Sequence, residues 1–325
     1  MLTALRAGFR SVGRNWGLVL LVLLGNLAFA LILAVPLSLQ LDRDLAHRGA
    51  SSGMMYGFDY DWWARWSERQ EGPPSALSPD ILGTGFAFRN LELLLRGFLP
   101  AGLFAQGGRG TLDPTILGVG ALYLLLQVFL TGGLLGVFRA PQGGWTVRGV
   151  LHGSGFYSGR ILRVSLLSLA TAGAVFALSA PLARWVDGLA REAVSERTAI
   201  ALTLGRHAVL LLALVLVHMV SSHAKVLVVR EERLSAVLAF LSSLGFCARN
   251  FLPAFGQYAA VLLLGAGVLA LFGALDARLG VIGWRSQLLG LALFQSVVVA
   301  RIALRLALLA GQMELQHARG AGTPR

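Results

Sequence analysis

The chain holds 325 residues, 56% of them hydrophobic and 14% charged, with a mean hydropathy of +0.69. Soluble domains carry about 25% charged residues, so this composition excludes both a disordered chain and an ordinary soluble enzyme. The formal charge of +12 invites a nucleic-acid partner, but where that charge sits decides its meaning.

The first segment, residues 1–15, is amphipathic. Leu2, Leu5, Phe9 and Val12 form an apolar stripe at helical spacing while Arg6, Arg10 and Arg14 form a basic one, the pattern of a helix lying in a membrane interface. An apolar run follows over Trp16–Leu39. Three Arg before such a run, with Ala28-Phe29-Ala30 inside it, imitate a secretory signal and its cleavage site, but the run is too long for a signal core and reads as an uncleaved anchor. Crossing the hydrocarbon layer takes about 20 apolar residues, and five later stretches also qualify: Pro114–Phe138, Val164–Val186, Thr198–Val220, Gly256–Leu275 and Leu288–Leu309. The expected architecture is one all-α transmembrane domain of six helices.

Between the first two spans lies segment 40–113, expected to form an extracytoplasmic cap. Trp62, Trp63 and Trp66, beside Tyr56, Phe58 and Tyr60, read as interfacial anchors, because their rings are apolar with one polar group. The apolar stretch 81–104 reads as helices on the outer leaflet, either covering span ends or acting as a lid over a cavity for a lipid-like molecule. Two Asp-x-Asp patterns, Asp42-Arg43-Asp44 and Asp59-Tyr60-Asp61, could hold a divalent cation or act as a base, but helix capping and surface charge account for them more simply.

Further along, residues 143–160 and 231–250 repeat the basic interfacial character, although Gly143, Gly144, Gly149, Gly153, Gly155 and Gly159 make the first of these a weak helix. In the second, Leu234, Val237, Leu238, Leu241 and Leu244 repeat the apolar stripe, with Glu231 and Glu232 at the helix start, where carboxylates are favoured. Each such segment carries Gly-Phe followed by an Arg and then a span: Gly8-Phe9 with Arg14, Gly155-Phe156 with Arg160, and Gly245-Phe246 with Arg249. The pattern describes three parallel units, each an interfacial helix followed by a helical hairpin. Small residues at Gly132-Gly133, Gly136, Ala172-Gly173-Ala174 and Gly265-Ala266-Gly267 offer close helix approach.

Six crossings place both termini and the segments 139–163 and 221–255 on one side. That side carries fifteen basic and three acidic residues; the other carries thirteen of each. The whole net charge therefore falls on one membrane face, which the positive-inside rule makes cytoplasmic. Anionic headgroups explain the basic pI, and nucleic acid is not needed.

Ser222-His223-Ala224-Lys225 matches the Ser-x-x-Lys of acyl enzymes, but its companion motifs are missing. His207, His218 and His223 are wrongly spaced for one metal ion, Cys247 is alone, and no phosphate loop or dinucleotide fingerprint occurs, so neither a metal nor a cofactor is expected. Arg301 and Arg305, one turn apart inside the last span, are the most informative charges. They either snorkel to headgroups or, with Arg160, Arg163 or Arg249, form a basic cradle for an anionic lipid headgroup or pair with Glu231 and Glu232.

The stretch Ala224-Lys225-Val226-Leu227-Val228-Val229-Arg230-Glu231-Glu232-Arg233, running into Arg249-Asn250 and the fifth span, resembles bacterial polytopic proteins related to the membrane domain of glycerophosphodiester phosphodiesterases. Phe58-Asp59-Tyr60-Asp61-Trp62-Trp63 and Ser78-Pro79-Asp80-Ile81-Leu82-Gly83 are similar to text in the same group. The resemblance implies architecture and not activity, since the catalytic domain of those enzymes is a separate soluble one. The functional expectation is a multi-pass bacterial inner-membrane protein, non-enzymatic, that binds or moves a lipid-like or small amphiphilic molecule or serves as a subunit of a membrane assembly, with membrane lipids and other subunits as partners. Two alternatives stand beside it: a permease subunit resembling those of one group of ABC exporters, partnered by an ATPase, and a small membrane enzyme using the outer carboxylates.

Overall fold

The computed structural model describes residues 2–45, 59–70, 114–140, 144–278 and 284–320. The stretch 81–104, expected to cap or cover the outer face, lies outside the described residues. The described chain is helical, without strands, in the order α1 (Leu2–Arg14), α2 (Gly17–Leu45), α3 (Tyr60–Arg69), α4 (Pro114–Arg139), α5 (Val147–Glu192), α6 (Glu196–Arg230), α7 (Ala236–Arg249), α8 (Phe251–Asp276) and α9 (Trp284–Gly320). Helices α2, α4, α5, α6, α8 and α9 are each long and apolar enough to cross a membrane. The protein is an all-α, multi-pass membrane protein.

Packing is uneven along the bundle. Buried residues crowd the end that holds α1, α7 and the start of α5: Leu18, Val19 and Val22 of α2, Leu134 and Leu135 of α4, Ala224 and Val226 to Val229 of α6, and Leu306 to Ala310 of α9. Toward the other end α2, α5, α6, α8 and α9 expose Leu31, Leu178, Leu204, Leu263 and Leu291. Apolar exposure of that kind suits a helix solvated by acyl chains, and the densely packed end supplies the fixed geometry on which a site can be built.

The middle interfacial segment departs from expectation. It is no weak helix: α5 runs unbroken for 46 residues, roughly 70 Å at 1.5 Å per residue. Thr146 caps it, its hydroxyl accepting from the Gly149 amide at 3.0 Å. Of the glycines that lower its propensity, Gly153 lets it pack, whereas a Cβ on Gly155 or Gly159 would meet nothing within 4 Å. A Cβ on Gly133 of α4 would collide with the Val150 carbonyl and stand 2.6 Å from Ser154 Oγ, and Gly153 lies against Gly132 and Gly133. Tertiary contact thus overrides intrinsic propensity.

Helix α1 is docked on protein along one face. Ala4, Leu5, Gly8 and Val12 are buried, and a Cβ on Gly8 would strike the Ala307 carbonyl and come within 2.8 Å of the Gly311 nitrogen of α9. Of the expected stripe, Leu5 and Val12 face protein while Leu2 and Phe9 are exposed. Helix α7 shows the same division, with Ala239, Ser243 and Cys247 buried and Leu234, Val237, Leu238, Leu241 and Leu244 outside. Its Ser243 hydroxyl donates to the Val220 carbonyl of α6 at 2.6 Å. Both helices therefore dock through a row of small residues at four-residue spacing, Ala4, Gly8, Val12 and Ala239, Ser243, Cys247.

Three residues past each row stands an asparagine that turns the chain into the following span. Asn15 Nδ2 donates to the Ser11 carbonyl at 3.0 Å and Asn250 Nδ2 to the Phe246 carbonyl at 3.2 Å. The corresponding place in α5, three residues past buried Tyr157, holds Arg160, and there the helix continues without a turn. The start of α5 packs on the end of α4, α7 on the end of α6, and α1 on the end of α9, so N- and C-terminal helices close the set.

Among the described glycines, close approach is confined to that end. Gly17 accommodates the Trp145 ring, whereas a Cβ on Gly173 or Gly267 would meet nothing within 4 Å and one on Gly265 only Leu304 Cδ1 at 3.9 Å. The small-residue clusters at 172–174 and 265–267, expected to bring spans together, do not do so.

At the opposite end, the expected anchors Trp62, Trp63 and Trp66 are not displayed to an interface. They are buried against Leu37, Leu41 and Leu45, fastening α3 to the end of α2. Trp66 Nε1 donates to Asp44 Oδ2 at 2.6 Å, and Asp59 caps α3 by accepting from the Trp62 amide at 2.8 Å. One carboxylate from each Asp-x-Asp pattern is thereby held in a structural hydrogen bond.

Candidate functional site

A groove of about 630 Å³ opens between α2, α4 and α9. Its floor is polar and its walls are apolar. Asn26 from α2, Tyr123 from α4, and Arg301 and Arg305 from α9 line one part; Phe29, Ala30, Leu33, Val119 and Val298 line the rest. The polar groups lie toward the tightly packed end of the bundle, because Asn26 precedes Leu33 on α2 while Arg305 follows Val298 on α9.

The floor is a connected network. Arg305 Nη1 donates to Gln127 Oε1 at 2.7 Å; Gln127 Nε2 donates to Asn26 Oδ1 at 2.8 Å, and Tyr123 Oη donates to the same oxygen at 3.2 Å. Gln127 gives its oxygen to the guanidinium and its nitrogen to Asn26, which fixes both amide orientations. Thr131 Oγ1 is turned onto the Gln127 carbonyl at 2.6 Å and lies 3.5 Å from Arg305 Nη2. Arg305 is thus held from the α4 side with several N–H donors left for the groove. Arg301, one turn earlier, has no hydrogen bond to any described residue and is exposed.

Among the described residues no acidic side chain balances these cations. All six apolar stretches, from Trp16–Leu39 to Leu288–Leu309, lack Asp and Glu altogether. Lys225 of α6 lies close enough to Arg305 for their charges to repel. A charge at membrane depth is costly unless paired, hydrated or bound to something of opposite sign. The groove therefore offers an anion-seeking floor beneath apolar walls.

The remaining expected cradle residues lie elsewhere. Arg160 donates to the Glu232 carbonyl at 3.2 Å and stacks over Phe156 at 4.9 Å. Arg139 pairs with the Glu232 carboxylate at 2.5 Å and donates to Tyr157 Oη at 2.8 Å, while Arg233 takes Glu231 at 2.7 Å. These contacts clamp the turn between α6 and α7, where Glu232 adopts φ 52°. Arg163 and Arg249 are exposed and line no part of the groove. The structure therefore joins Arg301 to Arg305 and separates both from Arg160, Arg163 and Arg249.

Sequence reasoning missed Asn26, Tyr123, Gln127 and Thr131. A signal existed, since Tyr123, Gln127 and Thr131 recur every four residues in an otherwise apolar span and so form one polar stripe. Ser222 of the Ser-x-x-Lys pattern bonds Gln312 on α9, and His223 receives Gln316 Nε2 at 3.0 Å. This second polar seam joins α6 to α9. Among the described residues no group of three or more His, Cys, Asp or Glu is placed to hold a metal ion. Comparison of the chain with family models, with curated proteins and with solved structures found no match to any of them.

Proposed function

We propose that this protein binds or moves an anionic amphiphile, with the headgroup on Arg301 and Arg305 and the tail along Leu33, Val119 and Val298. The observation that carries this reading is a pair of guanidiniums on the floor of an apolar-walled groove in a chain whose six apolar stretches contain no carboxylate. Such a floor gains from a phosphate or carboxylate through charge-assisted hydrogen bonds, which strengthen as water is excluded. The apolar walls accept an acyl or isoprenoid chain at no desolvation cost to the protein.

The membrane in this proposal is a bacterial inner membrane with both termini in the cytoplasm, supported by the concentration of net positive charge on one face. In that orientation the polar floor lies toward the cytoplasmic end and the apolar part toward the bilayer centre. An inner-leaflet lipid entering sideways has the same polarity. Asp44 and Asp59 are already engaged by Trp66 and by the α3 amide, which favours the binding role over outer-carboxylate catalysis.

The test is mass spectrometry of lipid retained through detergent purification. The wild-type protein is expected to keep an anionic amphiphile that the double variant Arg301→Ala, Arg305→Ala has lost. Equal retention by both proteins would remove the groove from the account.

A further inference from the structure

The groove's charge and its spare hydrogen-bond donors define the headgroup more narrowly. Resting on the reading above, we infer that the ligand presents a phosphomonoester, a terminal phosphate carrying two negative charges, in preference to the singly charged phosphodiester of most bilayer lipids.

Three observations converge on this class. The first is charge. Arg301 and Arg305 bring two fixed positive charges to one groove, Lys225 adds its repulsion from α6, and none of the six apolar stretches carries a compensating carboxylate. A monoanion leaves one charge uncompensated at membrane depth; a dianion cancels both. The second is donor count. Each guanidinium has five N–H donors, of which Arg305 directs one to Gln127 and one toward Thr131 at long range, while Arg301 directs none to a described residue. A phosphomonoester offers three terminal oxygens to this excess, and a diester or carboxylate offers two. The third is spacing. Four residues along a helix is a rise of about 6 Å, short enough for two long, flexible side chains to converge on one phosphorus centre.

A soluble phosphomonoester carries the same chemistry as a lipid one. The apolar walls of Leu33, Val119 and Val298 select the lipid.

The experiment measures binding of phosphatidic acid, phosphatidylglycerol and water-soluble glycerol 3-phosphate to the full chain in nanodiscs of neutral lipid. The proteins compared are wild type, Arg301→Gln, Arg301→Lys and Arg305→Gln, each checked for an unchanged thermal midpoint. The wild type is expected to bind phosphatidic acid about tenfold more tightly than phosphatidylglycerol. Arg301→Gln is expected to abolish that preference while still binding both lipids, Arg301→Lys to keep most of it, and Arg305→Gln to weaken both lipids together. Glycerol 3-phosphate is expected not to displace the lipid. Equal wild-type affinity for the two lipids, lost in Arg305→Gln, overturns the phosphomonoester inference and leaves the groove reading standing. Binding indifferent to both arginines overturns the two together. Glycerol 3-phosphate binding as tightly as the lipid keeps the phosphate chemistry and overturns the amphiphile.

Discussion

At the scale of single residues, some buried side chains hold the fold and others line the groove. Cys247 belongs to the first kind. Burial pushes its thiol up to about 11, partly offset by a hydrogen bond with Ser243. The folded protein is therefore expected to resist maleimide at pH 7.5 and to label only as it unfolds, so labelling against temperature reports stability directly. An unfolded thiol ionises near pH 8.5 and the folded one near 11, so this residue's stabilising contribution is complete below about pH 8.5 and fades as pH rises toward 11. Cys247→Ala should flatten that alkaline decline; an unchanged decline would assign it to other groups. Gly133→Leu tests the other packing extreme. With the Val150 carbonyl in the way of any Cβ, the variant is expected to lose about 1–3 kcal/mol, read as a lower midpoint in the same assay.

Arg301 and Arg305 were legible in the sequence because two cations one turn apart inside an apolar run are costly and rarely idle. Asn26 and the Tyr123, Gln127, Thr131 stripe were harder to see. Uncharged polar residues cost less in a span and look innocuous until a partner helix is known. Arg160, Arg163 and Arg249 looked equivalent to the groove pair because sequence gives distance along the chain and not which helix faces which.

At the scale of elements, the six spans were readable from apolar length alone, since a bilayer demands a minimum run. The terminal helices were readable only in part. An interfacial helix and a helix docked on a neighbour share an apolar stripe, and the difference lies in the small-residue row Ala4, Gly8, Val12, which hydrophobicity alone undervalues. The unbroken α5 was illegible for a related reason, because its glycines lower propensity locally while one of them, Gly153, enables a contact with α4. Gly8→Leu is expected to lift α1 from α9, measurable as faster tryptic cleavage at Arg6, Arg10 and Arg14, which are exposed but held in helix. Cleavage at the wild-type rate would mean that α1 is not held by the Gly8 contact.

At the scale of the whole molecule, buried residues crowd one end of the bundle and exposed apolar side chains the other. Under the proposed function, the packed end holds α2, α4 and α9 together, and the other end is where a chain-bearing ligand would enter between them. The proposed orientation is checked with single cysteines in a Cys247→Ser background. Position 148 and position 233 are expected to label from the cytoplasm and position 67 from the opposite side. Labelling of position 67 from the cytoplasm would invert the topology, and with it the leaflet that feeds the groove.

The most direct measurement is a cryo-electron microscopy map of the protein in native-lipid nanodiscs. The account predicts density between α2, α4 and α9, with a compact headgroup against Arg301 and Arg305 and a tail running past Val298 toward Leu33. A groove closed by its own side chains, with ordered lipid bound only elsewhere on the bundle, would contradict it.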